Sequence, residues 1–195
     1  FALSTWMKKI EREFIDFEED LHGSEGKGSN YPYRDPLEQG EWIVQFQHYN
    51  SPAHFPQAIH KVVMAYGLVH PAILPISGYA AYFQQGTPGF DLLIKKPRME
   101  GNLFHLIQQQ KQKGHFSIET LIPYFYSLAC GVEYIHENQI VHRKINLSTI
   151  LFDKSKNLKL AGFGLSTSLR EGESNNKITY DQEMLRVLPP EILQS

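Results

Sequence analysis

Apolar residues set the first expectations. Trp6, Ile10, Phe14, Phe17 and Leu21 recur at spacings of three and four with charges between them, which predicts an amphipathic helix over 4–21. Residues 22–41 are rich in Gly, Pro, Ser and Asn and read as loop. Trp42 to Gln47 is a short strand by its apolar and β-branched content. Residues 55–69 read as a helix with Ile59, Val62, Val63 and Tyr66 on one face, ended by His70-Pro71 because the residue before proline avoids the helical region. Ile73–Phe83 and Phe90–Lys95 read as strands joined by a Gln-Gly-Thr-Pro-Gly turn. From Leu103 the period becomes helical. Ser117 is placed to cap a helix through residue 136, with Leu121, Ile122, Phe125, Leu128, Ala129, Val132 and Ile135 inward. Short strands follow at 140–141, 150–152 and 158–161. This order predicts an α+β layout in two lobes.

Composition narrows the class. The chain has 195 residues, 42% hydrophobic and 21% charged, enough apolar content to bury a core. A net charge of −2 gives no field that would select nucleic acid or a membrane surface, and no apolar run is long enough to span a bilayer. The single cysteine, Cys130, leaves no internal disulfide and fits a reducing, cytoplasmic setting. The nine histidines are scattered without metal-ligand spacing, so no metal site is expected. The chain begins at Phe1 rather than methionine, as expected of a fragment.

Three segments carry a resemblance. Ile140-Val141-His142-Arg143-Lys144-Ile145-Asn146-Leu147-Ser148-Thr149-Ile150-Leu151 resembles the protein kinase catalytic loop, Leu158 to Leu165 resembles the strand and D-F-G motif, and Pro189-Pro190-Glu191 resembles A-P-E. Three further stretches occur in kinase order. Ile135-His136-Glu137-Asn138 is similar to the end of the helix before the catalytic loop. His70-Pro71-Ala72-Ile73-Leu74 is similar to the turn after the regulatory helix, and Glu100-Gly101-Asn102-Leu103 to the step after the hinge. The resemblance covers about residues 10–195 and is nearest in flavour to the tyrosine-kinase-like group. It implies a small, mostly β N-lobe with one regulatory helix (22–98, following the helix of 1–21), then a mainly helical C-lobe (99–195) truncated after the A-P-E-like motif.

The resemblance also implies what each position would do, and here the chain departs from it. The catalytic-loop Asp is Lys144, a cation that cannot accept a proton. The loop position two further on is Asn146. The magnesium-binding Asn is Thr149, whose hydroxyl is a tolerable replacement. The D-F-G Asp is Gly162, which supplies no oxygen for magnesium; Asp153 is in a turn and is not expected to substitute. Counting from Gly40 puts the strand-three Lys at Phe46, flanked by Gln45 and Gln47, and counting back from His70 puts its helix Glu partner at Lys61. The Gly-rich loop survives only as Gly26-Lys27-Gly28, where Lys27 could supply a phosphate lysine as with-no-lysine kinases do. Further nucleotide candidates are Lys96, Arg98 and Leu151, the last under the adenine site. Lys95, near the gatekeeper position, is expected to block the adenine pocket. Arg143 would hold an activation-like segment (165–188) bearing Thr179 and Tyr180.

Kinases turn over at roughly 1–100 s⁻¹. Losing the base costs about 10²–10⁴-fold, which on the larger figure leaves at most about one turnover per minute. The expectation is therefore a pseudokinase acting as scaffold or regulatory module with protein partners. It would have no required cofactor, and any ATP would bind without magnesium. Two alternatives stay open: a weak serine/threonine kinase using Lys27, and a non-functional kinase remnant.

Overall fold

A computed structural model of the chain describes residues 28–83, 86, 89–112 and 114–169. The expected helix of 4–21 and the A-P-E-like motif lie outside them. The fold is α+β and divides into two compact units, one of residues up to 69 with Leu74–Met99, the other of His70–Ile73 with the residues from Glu100.

The first unit is a four-stranded antiparallel sheet with one helix. Strands β1 (Ser29–Tyr33), β2 (Trp42–Tyr49), β3 (Gly78–Phe83) and β4 (Phe90–Pro97) lie in the order β1-β2-β4-β3. Side chains alternate between faces along each strand. One face buries Tyr31, Tyr33, Val44 and Leu93, flanked by Trp42, Phe46, Ala80 and Tyr82. The other buries Tyr49, Phe90, Leu92 and Ile94 against Ala58 and Val62 of helix α1 (Phe55–Val63). There Tyr49 stacks on Phe90 with ring centroids 4.7 Å apart.

Three expectations are corrected in this unit. The supposed loop of 22–41 contains β1. Tyr31 and Tyr33 drive its pairing by packing on Val44, and Pro32 is tolerated at the edge of the sheet that the described residues form. The helix of 55–69 ends at Val63, since Met64–Leu68 tighten into turns and Gly67 takes φ +89°. Val63 and Tyr66, expected inward, are 55% and 42% exposed. Finally, Ile73–Ser77 is not strand: Ile73 bridges Leu160 and Ile76 bridges Tyr66 in isolation, and pairing starts at Gly78.

The second unit holds β5 (Gly101–Asn102), α2 (Leu103–Lys111), α3 (Ile118–Glu137), β6 (Ile140–Val141), β7 (Ile150–Phe152), β8 (Leu158–Leu160) and β9 (Thr167–Ser168). Two small sheets form, β5-β7-β8 and β6-β9. The helices start where cap residues stand: Asn102 Oδ1 accepts from the His105 N–H at 3.0 Å, and Ser117 Oγ from the Thr120 N–H at 3.3 Å. His70–Ile73 joins this unit through the Leu160 N–H, which donates to the Ala72 carbonyl at 2.6 Å, and through Lys159 Nζ, which donates to the Pro71 carbonyl. The His70 ring stacks on Tyr134. A Cβ at Gly131 would lie 3.0 Å from Ala72 Cβ, so glycine lets the helix come this close to the segment without displacing it.

The inward face expected for α3 is half right. Ile135 and Gly131 are buried and Leu121, Leu128 and Val132 partly so, but Ile122 and Phe125 are 61% and 71% exposed and Ala129 is exposed too. The buried residues of the helix, Gly131 and Ile135, lie in its C-terminal half, where Gly131 packs on Ala72 and Ile73.

Candidate functional site

The residues expected to carry chemistry fall into two clusters, one in each unit. In the second unit the segment after β6 is folded onto itself. Buried His142 is 2% exposed and lies between two backbone groups. Its Nε2 hydrogen-bonds the Ala161 carbonyl at 2.9 Å, and Nδ1 accepts from the Lys144 N–H at 3.2 Å. A carbonyl only accepts and an amide N–H only donates, so the proton sits on Nε2 and the ring is neutral. Burial pushes His142 down to about 4, against a smaller opposing effect of the Ala161 bond. The edge of the ring meets Phe163, centroids 4.7 Å apart, so the two motifs are clasped by a histidine and a phenylalanine.

Thr149 closes the loop. Its hydroxyl donates to the Lys144 carbonyl at 2.7 Å and accepts from the Asn146 N–H at 3.0 Å. Asn146 Oδ1 in turn accepts from Ser148 and Thr149. The Thr149 hydroxyl was expected to be a tolerable magnesium ligand; it is instead occupied by the loop's own backbone. Lys144 is half-buried and contributes its N–H and carbonyl to this network. Asp153 holds the β7–β8 turn through Asn157, as its position in a turn suggested.

Gly162 has the left-handed backbone φ +84°, ψ +39°. A Cβ there would lie 2.8 Å from Thr149 Cγ2, closer than real Cβ contacts come. The position therefore lacks a carboxylate and also lacks room for one. Arg143 is exposed and takes φ +63°, a conformation a non-glycine residue holds only when its surroundings impose it. Leu151, in β7 between buried Ile150 and Phe152, points to the opposite side of its small sheet and is half-buried.

In the first unit, the parity of β2 corrects one assignment. The resemblance pairs the strand lysine with a glutamate on the regulatory helix, so its position must face α1. Phe46 faces away, packed with Tyr31 and its neighbours. Gln45 and Gln47 face α1, and neither is a lysine. Lys61 on α1 is half-buried, its ammonium pushed down by desolvation, and no carboxylate among the described residues pairs with it.

The basic run at the end of β4 splits by the same alternation. Lys95, expected to block an adenine pocket, turns to the face away from α1. There it is 1% exposed, ion-paired to Asp35 and to Glu38 at 2.6 Å, with its ammonium 4.2 Å from the Trp42 ring centroid. Lys96 faces α1 and donates to Gln45 Oε1 at 3.0 Å; burial pushes its ammonium down to about 8. Arg98 is exposed, and its backbone N–H pins Glu41 at 2.9 Å. Gly28, at φ +70°, sits against the Gln45 and Gln47 side chains. Gly26, Lys27, Thr179 and Tyr180 lie outside the described residues. Among the described residues no group of three His, Cys, Asp or Glu could hold a metal ion, and no helix is long and apolar enough to cross a membrane.

A family model described as protein kinase domain matches residues 57–195. The chain belongs to the protein kinase family. An Aurora kinase of Debaryomyces hansenii is 30% identical over 128 residues, 66% of this chain and 29% of the relative. An Aurora kinase of Patiria pectinifera is 34% identical over 127 residues, 65% of this chain and 29% of the relative. Cyclin-dependent kinase C-2 of Oryza sativa is 38% identical over 78 residues, 40% of this chain and 15% of the relative. The chain thus spans 29% of the length of the Aurora kinases it matches.

Sequence counting missed Asn30 and the Asp35 and Glu38 carboxylates that pair with Lys95, and it did not give Gln45 its face. The signal was strand alternation, which needed β1 to be recognised first.

Proposed function

We propose that this protein kinase domain does not transfer phosphate and acts as a scaffold or regulatory module for protein partners. The observation that carries the reading is Gly162. Magnesium on a nucleotide needs hard anionic oxygens, and the position that would supply one is a left-handed glycine whose missing side chain is replaced by the Thr149 methyl. Three further features support it. Lys144 cannot act as a base while charged. The Thr149 hydroxyl is spent on the loop, and the two α1-facing residues flanking Phe46 in β2 are glutamines. The His142–Phe163 clasp keeps the same region ordered, so the arrangement preserves a shape rather than a reaction. The tyrosine-kinase-like affinity is part of this proposal and rests on the local flavour of the kinase-like motifs.

A second reading, a weak serine/threonine kinase using Lys27, is favoured by the likeness to Aurora and cyclin-dependent kinases. The test is phosphoryl transfer from ATP to the chain itself and to generic protein substrates, with magnesium or manganese. No transfer above that of the heat-denatured protein is expected. Metal-dependent transfer at more than about one turnover per minute, the residual expected after loss of the base, would overturn the proposal.

A further inference from the structure

The face of the four-stranded sheet that points away from α1 is sealed from solvent. Tyr31 of β1 pairs with Val44 of β2, while Phe46 of β2 and Ala80 of β3 flank Leu93 of β4. These side chains share the face, and Val44 and Leu93 in its middle are 0% exposed. A sheet face closes to water only when another layer lies on it. At one end the 34–41 loop reaches over the face, where Asp35 and Glu38 meet Lys95. Around Leu93 the packed hydrophobic residues, among the described ones, all belong to the sheet itself. Farther along the same face the Asp91 side chain is 1% exposed, although the His48 that pairs with it is 48% exposed. The cover therefore extends past Leu93 to the Asp91 end.

One segment of the chain has the chemistry and the reach for that cover. Trp6, Ile10, Phe14, Phe17 and Leu21 form the apolar stripe of the helix that the sequence predicts over 4–21, which lies outside the described residues. At 1.5 Å per residue that helix is about 27 Å long. The eight residues of β2 and the eight of β4 run a similar length, about 27 Å. Residues 22–27 join it to the start of β1 and can span up to roughly 20 Å. Four strands span only about 14 Å from edge to edge, so the joining stretch allows the stripe to return over any of them. The apolar surface on α3 offers a contrast. Ile122, Phe125 and Tyr126 are 61–71% exposed, so that surface is open. A stripe seated there would have buried them.

We propose that residues 4–21 dock as a second layer on the sheet face opposite α1, with Phe14 and Phe17 set over Leu93 and its neighbours. The segment is then an integral part of the first unit, and this apolar face is closed to partner proteins until the segment is displaced. The inference is independent of whether the domain transfers phosphate.

The full chain is prepared with the photo-reactive residue benzoylphenylalanine in place of Phe17, the nearest replacement in shape, and irradiated as an equal mixture of unlabelled and nitrogen-15-labelled protein. Mass spectrometry of the digest is expected to show links to the peptides of Phe46, Ala80 or Leu93, within single chains of one isotope. Links between the two isotopes would give the face to a second copy and overturn the proposal. Links to the α3 peptide of Ile122 and Phe125, or none to the sheet, would overturn it as well, the latter leaving the face to another partner. Thermal melts of the full chain supply a second reading. Phe14→Ala should lower Tm by roughly 6–20 °C, the loss expected for an aromatic ring taken from a packed layer. Lys8→Ala, on the opposite side of the predicted helix, should leave Tm unchanged. An unchanged Tm in Phe14→Ala overturns the docking; should that variant fail to fold, the photo-links in the otherwise native chain decide.

Discussion

Restoring the D-F-G aspartate should damage this domain rather than repair it. Gly162→Asp places a side chain on a backbone at φ +84° and puts its Cβ 2.8 Å from Thr149 Cγ2. The left-handed conformation costs an ordinary L-residue about 1–2 kcal/mol, somewhat less for Asp. Relieving the overlap in a region fixed by the His142–Phe163 contact costs about 1–3 kcal/mol more. The expected sum is about 2–4 kcal/mol, or a fall in Tm of roughly 4–16 °C for a chain of this size.

The two contributions separate by a double-mutant cycle. Thr149→Ser removes the offending methyl but keeps the hydroxyl that bonds the Lys144 carbonyl. In that background Gly162→Asp should cost about 1–3 kcal/mol less than in the wild type, the overlap having gone and the backbone strain remaining. Denaturant melts of the four proteins give the numbers. A neutral Gly162→Asp, or an equal cost in both backgrounds, would refute the argument that Thr149 fills this space. The same geometry bears on rescue: Lys144→Asp with Gly162→Asp should yield no autophosphorylation, and measurable activity would show that the missing β2 lysine is not limiting.

Three more outcomes are expected. His142 is held neutral, below its ordinary value of about 6.5, so above that value it costs no stability. As pH falls from about 6.5 towards 4 the unfolded chain takes up a proton that the folded one refuses, and stability drops by up to about 1.4 kcal/mol per pH unit; an NMR titration of the ring with a midpoint near 6.5 would contradict this. Lys95→Met strands Asp35 and Glu38, so it should destabilise by about 3–5 kcal/mol in urea melts, whereas Lys95→Met with Asp35→Asn and Glu38→Gln should recover much of that; no recovery would mean the cation's packing on Trp42 matters more than its charge. Magnesium should add nothing to any thermal stabilisation by ATP, since the described residues near Gly162 offer it no carboxylate; a further rise in Tm on adding magnesium would count against the reading of the site.

What could be read from the sequence followed from where the signal is local. The caps at Asn102 and Ser117, the strands at 140–141 and 150–152, and the order of motifs depend on short-range chemistry and appear where expected. The inner face of α3 and the end of α1 depend on which neighbours are present, and periodicity does not report that: Ile122 and Phe125 keep the spacing of buried residues without being buried. The candidate site failed by a third route. Counting along a chain locates a strand position to within about one residue, but one residue reverses the face. At Phe46 the error changes nothing chemical, because the α1-facing neighbours Gln45 and Gln47 are no more lysine than it is. At the basic pair the same error decides everything. Lys95 and Lys96 are adjacent and alike in the sequence, yet one is neutralised by Asp35 and Glu38 on one face while the other stands on the α1 face and donates to Gln45. Only the register of β4 against β2 puts the two lysines on opposite faces of the sheet.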